Sequence, residues 1–176
     1  GLGCPDFLGC DGIEGGEQFG YSNSRYGIWV SNEWQNESSS MIVVGGMTTG
    51  WEIDHLECSD GGFAGMLLKR DNNDSVDMND VYLHHLYIHD TGSEGIYLGS
   101  TQADPQHQFN NLLIENVLLL RTGTEAIQAG QLGNNCIIQN SIFWGAMDWL
   151  SPFQRYQDNC VQIGARQGNI TFQNNV

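Results

Sequence analysis

Cationic residues are scarce in this sequence: six Lys plus Arg stand against 21 Asp plus Glu, a formal charge of −15 over 176 residues. Such a chain repels a nucleic-acid backbone or an anionic membrane surface and favours neutral or cation-bridged partners. Long apolar runs are also missing. None approaches the roughly 20 residues that a membrane-crossing helix needs, so membrane insertion is not expected. The opening Gly1-Leu2-Gly3-Cys4 lacks the charged start of a signal peptide, and the chain reads as mature or as part of something longer. Little lysine with much Gly, Asn, Gln and Ser is a composition of exported proteins, so an extracellular or cell-surface location is expected.

Cysteine pairs of the CxxC kind are absent. The five cysteines, at 4, 10, 58, 136 and 160, do not suit a cysteine zinc site. Cys4 and Cys10 enclose a short Pro/Gly loop and could bridge in an oxidising compartment, whereas Cys58 falls where a core hydrophobe is expected. The odd number leaves at least one free thiol.

Helical periodicity is lacking too. No window sustains apolar spacing at i, i+3, i+4 and i+7, and the 23 glycines are spread along the chain. What the sequence does contain is a repeat. A small residue followed by apolar-any-apolar recurs as Gly27-Ile28-Trp29-Val30, Gly65-Met66-Leu67-Leu68, Gly95-Ile96-Tyr97-Leu98, Ala126-Ile127-Gln128-Ala129 and Cys160-Val161-Gln162-Ile163. A second phrase centred on His or Asn recurs around His55, His85 and Asn116, with degenerate copies around Asn140 and Asn174. The two keep phase, because Cys58 to Met66, Ile88 to Ile96 and Leu119 to Ile127 are each eight residues. Each unit has period two and is bounded by Gly, Asn, Asp or Ser, the mark of a short strand. Strands this short bury a continuous apolar column only when stacked in register, which is a solenoid.

The phrases IENVLLLRTGTEAIQAG, IIQNSIF and ITFQNN carry a resemblance. Over about residues 26–176 the chain resembles the right-handed parallel β-helix proteins of the pectate-lyase-like superfamily, with residues 1–25 preceding as a cap or loop. The resemblance implies an all-β coil of three strands, with stacked asparagines between the second and third. It also implies polysaccharide binding along the first strand. By that analogy Asn116, Asn140 and Asn174 form a ladder, while the fold by itself names no activity.

The segment YLHHLYIHDTGSEGIYLG, residues 82–99, holds three of the five histidines. The register puts His55 and His85 at the asparagine turn position, where a buried polar group needs a partner. It puts His84 at an outward strand position, most simply on the surface. Zinc held by His84, His85 and His89 would need side chains pointing in incompatible directions, which leaves His89 as the candidate. Stacking at roughly 4.8 Å makes Asp60, Asp90 and Arg121 equivalent, and likewise Glu94 and Glu125. These sets form either an acid/base pair of mutually perturbed carboxylates or an ordinary charge ladder in which Arg121 neutralises Asp90.

Outward first-strand positions are expected at Trp29, Leu67, Tyr97, Gln128 and Gln162, a stripe forming the floor of a groove. Its walls would be uneven loops from Ser31 to Gly50, Lys69 to Tyr82 and Gly99 to Leu112, with an insertion between Phe143 and Val161. Trp144, Trp149, Phe153 and Tyr156 in that insertion either stack on sugar faces or form a satellite core. The loop DNNDSVDMND spaces Asp71, Asp74, Asp77 and Asp80 at three-residue intervals. That density of hard oxygens suits Ca²⁺ or a solvated acidic loop; Val76 and Tyr82 stand where an EF-hand has Gly and Glu.

Motifs of polygalacturonase-like hydrolases are absent. A lyase of this superfamily needs a basic residue beside a uronate, for which Arg121, Lys69 or Arg70 are available, and Asp104-Pro105-Gln106-His107 loosely echoes the Asp-Pro-His-Asp of alginate epimerases. The leading expectation is an extracellular β-helix that binds polysaccharide along the first strand and acts on it as a lyase, hydrolase or epimerase. Arg121, His107 or His89 and Tyr97 would move protons there, while Glu94, Glu125, Asp60 or Asp90 hold a cation or protonate a leaving oxygen. The contrary expectation is a non-catalytic stalk, adhesin or tailspike segment. Because ITFQNNV stops partway through a repeat, further coils or a partner chain are expected beyond Val176.

Overall fold

The computed structural model describes residues 28–31, 38–45, 48–69, 76–99, 107–144, 157, 159–165 and 168–176. Among them are twelve strands and no helix. The strands are β1 (Ile28–Ser31), β2 (Ile42–Val44), β3 (Trp51–Gly61), β4 (Met66–Leu68), β5 (Met78–Thr91) and β6 (Ile96–Leu98), then β7 (Phe109–Thr122), β8 (Ile127–Leu132), β9 (Cys136–Gln139), β10 (Ile142–Trp144), β11 (Val161–Ala165) and β12 (Ile170–Gln173). Every pairing among them is parallel, and they stack as a β-solenoid of about four turns.

Three columns of strands make up the walls. First strands stack as β2, β4, β6, β8 and β11. The long strands β3, β5 and β7 each supply a second strand and, past a corner, a third. Later coils divide these duties between β9 and β10. One residue with left-handed backbone makes each corner between second and third strands: His55 (φ 47°), His85 (51°), Asn116 (52°), Asn140 (53°) and Asn174 (54°). Asn and His are among the few side chains enriched in that conformation, which is why the sequence places one or the other there. A second corner, after the third strand, is turned by Asp60, Asp90 and Arg121, as the repeat register requires.

Alternate residues point into a dry column. Leu56, Cys58, Leu86, Ile88, Val117 and Leu119 fill it from the third strands, facing Met66, Leu68, Ile96, Leu98, Ile127 and Ala129 from the first. Burial pushes the Cys58 thiol up to about 12, so it behaves as a core hydrophobe. The small residue that opens each first strand also has a reason. A Cβ on Gly95 would lie 2.6 Å from the Ala126 carbonyl oxygen, and one on Gly65 would lie 2.3 Å from the Ile88 side chain.

Two assignments from the repeat need correction. Ile28 and Trp29 align with Leu56 and Glu57, so β1 is a third strand and Trp29 does not extend the first-strand stripe. The first strand of that region is β2, inside the stretch expected to be a loop, where Val43 aligns with Leu67. Period two marks a strand without saying which wall it belongs to.

The side-chain amide ladder lies at a different corner from the one expected. Ahead of the second strands, Asn111 donates to Asp80 (2.9 Å) and Asn135 donates to Asn111 (3.2 Å). Asp77 accepts from the Gln108 backbone (2.8 Å) and from Asn110 (3.2 Å). At the His55 corner the coils are joined by ring stacking of His55 on His85, with centroids 5.0 Å apart.

Candidate functional site

Three polar clusters stand on the outer walls, and β5 contributes to two of them. On the third-strand wall, outward residues are buried: Glu57 is 1% exposed, His89 3% and Tyr87 not at all. His89 lies between two carboxylates, with Nδ1 2.5 Å from Asp90 and Nε2 3.2 Å from Glu57, while its ring stacks on Tyr87 at 4.2 Å. Each ring nitrogen faces a carboxylate oxygen, a setting that favours the imidazolium form, and the Arg121 guanidinium also approaches Nδ1 at 3.3 Å. Burial works against that charge, yet the hydrogen bonds from Asp90 and Glu57 outweigh it and raise the His89 pKa. Arg121 closes the network by donating to both Asp90 oxygens, at 2.6 and 2.5 Å. Burial disfavours the Asp90 carboxylate, but Arg121 and His89 more than compensate and hold it well below the usual range. Asp90 in turn holds Arg121 protonated, so the guanidinium works here as a fixed cation rather than a proton acceptor.

On the first-strand wall, Glu94 and Glu125 occupy matching positions two residues ahead of the paired Ile96 and Ile127, and both are fully buried. Gln157 reaches over from the insertion, donating to Glu94 Oε1 and, at 3.1 Å, to Gln128 Oε1. Glu94 Oε2 is buried without a hydrogen-bond partner. Tyr97 aligns with Gln128, carries Lys69 over its ring at 5.0 Å and meets the edge of Phe63. The stripe is therefore uneven rather than an open floor: Val43 and Gln162 are exposed, Leu67 is half-buried, and Tyr97 and Gln128 are buried.

The second-strand wall and its corner carry the remaining cluster. His84 points outward as the register implies, but it is buried, not a free surface residue. Its Nε2 lies 2.6 Å from Glu52, its Nδ1 lies 2.7 Å from Nδ1 of His85, and its ring stacks on Tyr82 at 4.0 Å. Tyr82 donates to one oxygen of Glu115, and Gln139 donates to the other at 2.8 Å. Burial first, then the Glu115 bond, pushes the Tyr82 phenol up to about 12. Next to the corner, His55 pairs with Asp54 at 2.8 Å.

The structure thus brings His89 together with Arg121 and Asp90, and Glu94 together with Gln128. His107 is buried beside Phe109 ahead of a second strand, a different corner from His89. Trp144 is 66% exposed and aligns with Leu120 on the third-strand wall. Asp71, Asp74, Trp149, Phe153 and Tyr156, with Cys4, Cys10, Arg70 and Asp104-Pro105-Gln106, lie outside the described residues. Among the described residues no three His, Cys, Asp or Glu side chains converge to hold a metal ion.

Sequence reasoning passed over Glu52, Glu57, Glu115 and Gln157. Glu57 could have been found, because it precedes Cys58 on the face that carries Tyr87 one coil later. Compared with known proteins, the chain matches no family model, no curated protein and no solved structure.

Proposed function

We propose that this solenoid binds polysaccharide along its first-strand wall, at the Glu94, Tyr97 and Gln128 cluster, and that Glu94 is the group that acts on the sugar. One observation carries the reading: Glu94 is fully buried, yet its Oε2 has no hydrogen-bond partner among the described residues. A buried carboxyl oxygen left unpaired costs free energy, and such groups mark sites where a ligand supplies the missing donor. A sugar hydroxyl is such a donor. Tyr97 and the Gln128 amide beside it are the residue types that meet sugar rings and hydroxyls, and the net charge of −15 favours a neutral glycan or a cation-bridged acidic one. Gln157 lies over the carboxyl on its Oε1 side, so a sugar hydroxyl reaches Oε2 when that amide moves aside.

Affinity electrophoresis against neutral glycans and uronates, with and without Ca²⁺, tests the reading, with reducing ends and unsaturated-uronate absorbance followed in parallel. The expected result is retardation by at least one neutral glycan, lost in Tyr97→Ala and in Glu94→Gln at unchanged stability. Retardation that survives both substitutions would move the site elsewhere. A second reading, a non-catalytic solenoid segment of a surface protein, is favoured by the third-strand network, where His89, Asp90 and Arg121 saturate one another and leave no free acid or base. Binding without bond cleavage would select it.

A further inference from the structure

Acceptors outnumber donors at the first-strand site, and the count bears on what kind of sugar fits it. Glu94 and Gln128 belong to neighbouring coils, joined through the paired strands β6 and β8. Nε2 of Gln157 donates to Glu94 Oε1 and, at 3.1 Å, to Gln128 Oε1, so a single nitrogen bridges the two coils. The other carboxyl oxygen, Glu94 Oε2, is buried and has no hydrogen-bond partner among the described residues. Three acceptor oxygens are therefore set against one nitrogen with only two hydrogens to give. Glu125, fully buried at the matching position one coil on, adds a second carboxyl to the same wall.

We propose that the sugar bound here carries a primary ammonium, as a deacetylated amino sugar does, and that this ammonium takes the place of the Gln157 amide; the inference rests on reading the wall as a polysaccharide site. An ammonium has three N–H donors, one for each oxygen, whereas a hydroxyl or an acetylated amine has one. It also brings the buried Glu94 carboxyl a positive charge that the amide lacks, and charge-assisted hydrogen bonds are roughly twice as strong as neutral ones. The charge of −15 draws a cationic glycan to the chain before contact. Lys69, whose Nζ lies 5.0 Å from the centre of the Tyr97 ring, shows that this wall already takes an ammonium against an aromatic face. Tyr97 aligns with Gln128, so the ring and the amide acceptor occupy adjacent coils of one strand column. Gln157 is then an internal stand-in, held until a better donor arrives.

Calorimetry of the whole chain with short oligomers of glucosamine, N-acetylglucosamine and glucose, at about 0.15 M salt, tests this. The glucosamine oligomer is expected to bind about tenfold or more tightly than the other two, and to lose that margin in Glu94→Gln. Gln157→Lys supplies a tethered ammonium, so it should melt at a higher temperature than Gln157→Met and should no longer bind the glucosamine oligomer. Should Glu94→Gln fail to fold, that second pair of variants decides alone. Equal affinity for glucose and glucosamine oligomers, abolished in Tyr97→Ala, would leave the polysaccharide site standing and overturn the ammonium. A preference for glucosamine that survives Glu94→Gln and Gln157→Lys would be attraction to the acidic chain at large, and would overturn it as well. Failure of every glycan to bind would end both readings together.

Discussion

His85 and His89 share strand β5 but stand on opposite sides of one corner's chemistry. His85 turns the chain beside two other imidazoles, His84 and His55, while both oxygens of Glu115 are engaged by Tyr82 and Gln139. His89 is more deeply buried, yet it lies between Asp90 and Glu57, whose hydrogen bonds raise its pKa. Burial pulls both toward neutrality. What separates them is the neighbours, imidazoles that lower the His85 pKa and hydrogen-bonded carboxylates that raise that of His89, so surroundings rather than depth decide the direction of the shift.

The most damaging way to test the contrast is His89→Leu. It strands Glu57, 1% exposed, without the His89 ring that pairs with it among the described residues, and should cost about 3–5 kcal/mol in urea unfolding at neutral pH. A loss below about 1 kcal/mol would mean that the ring is not a cation after all. Arg121→Met removes the outer clamp on Asp90. Both partners are about a third exposed, so solvent screens the loss to about 1–2 kcal/mol. On the other side of the corner, Tyr82→Phe frees one Glu115 oxygen for His85 at a cost of about 0.5–1.5 kcal/mol, and it should lift the His85 pKa toward ordinary. Smallest of all is His85→Asn at neutral pH, within about 0.5 kcal/mol, since Asn suits the left-handed corner.

The pH dependence should then run in opposite directions. The His89 contribution is whole below about pH 6.5 and is lost as pH rises through its elevated folded value. His85, whose folded value is depressed, is neutral at no cost above about pH 6.5 and draws stability down as pH falls below it. Stability differences between wild type and His89→Gln, and between wild type and His85→Asn, measured from about pH 5 to 8, should therefore slope with opposite signs. Parallel slopes would erase the distinction.

Most of the architecture was legible because stacking turns sequence spacing into contact. Matching His55 with His85, or Asp90 with Arg121, needed only the repeat register. β2 escaped because Met41 stands where other copies have a small residue, and β1 was placed on the wrong wall because Gly27-Ile28-Trp29-Val30 imitates a first strand. The site was harder to read for a geometric reason. His84 stacks in rank with Asp54 but bonds Glu52, one step along the diagonal, and long side chains reach such diagonal neighbours freely. Gln157 was invisible for another reason, since it arrives from an insertion with no repeat to fix its register.

The dry column has a practical consequence through its thiols. Cys58 sits in β3, Cys136 in β9, and both are fully buried, while Cys160 is exposed. Among the cysteines of the described residues, a thiol reagent meets Cys160 at once but reaches Cys58 and Cys136 only when their own coil opens, so their labelling rates clock the breathing of two distant turns separately. Each buried thiol then reports the opening of its own turn.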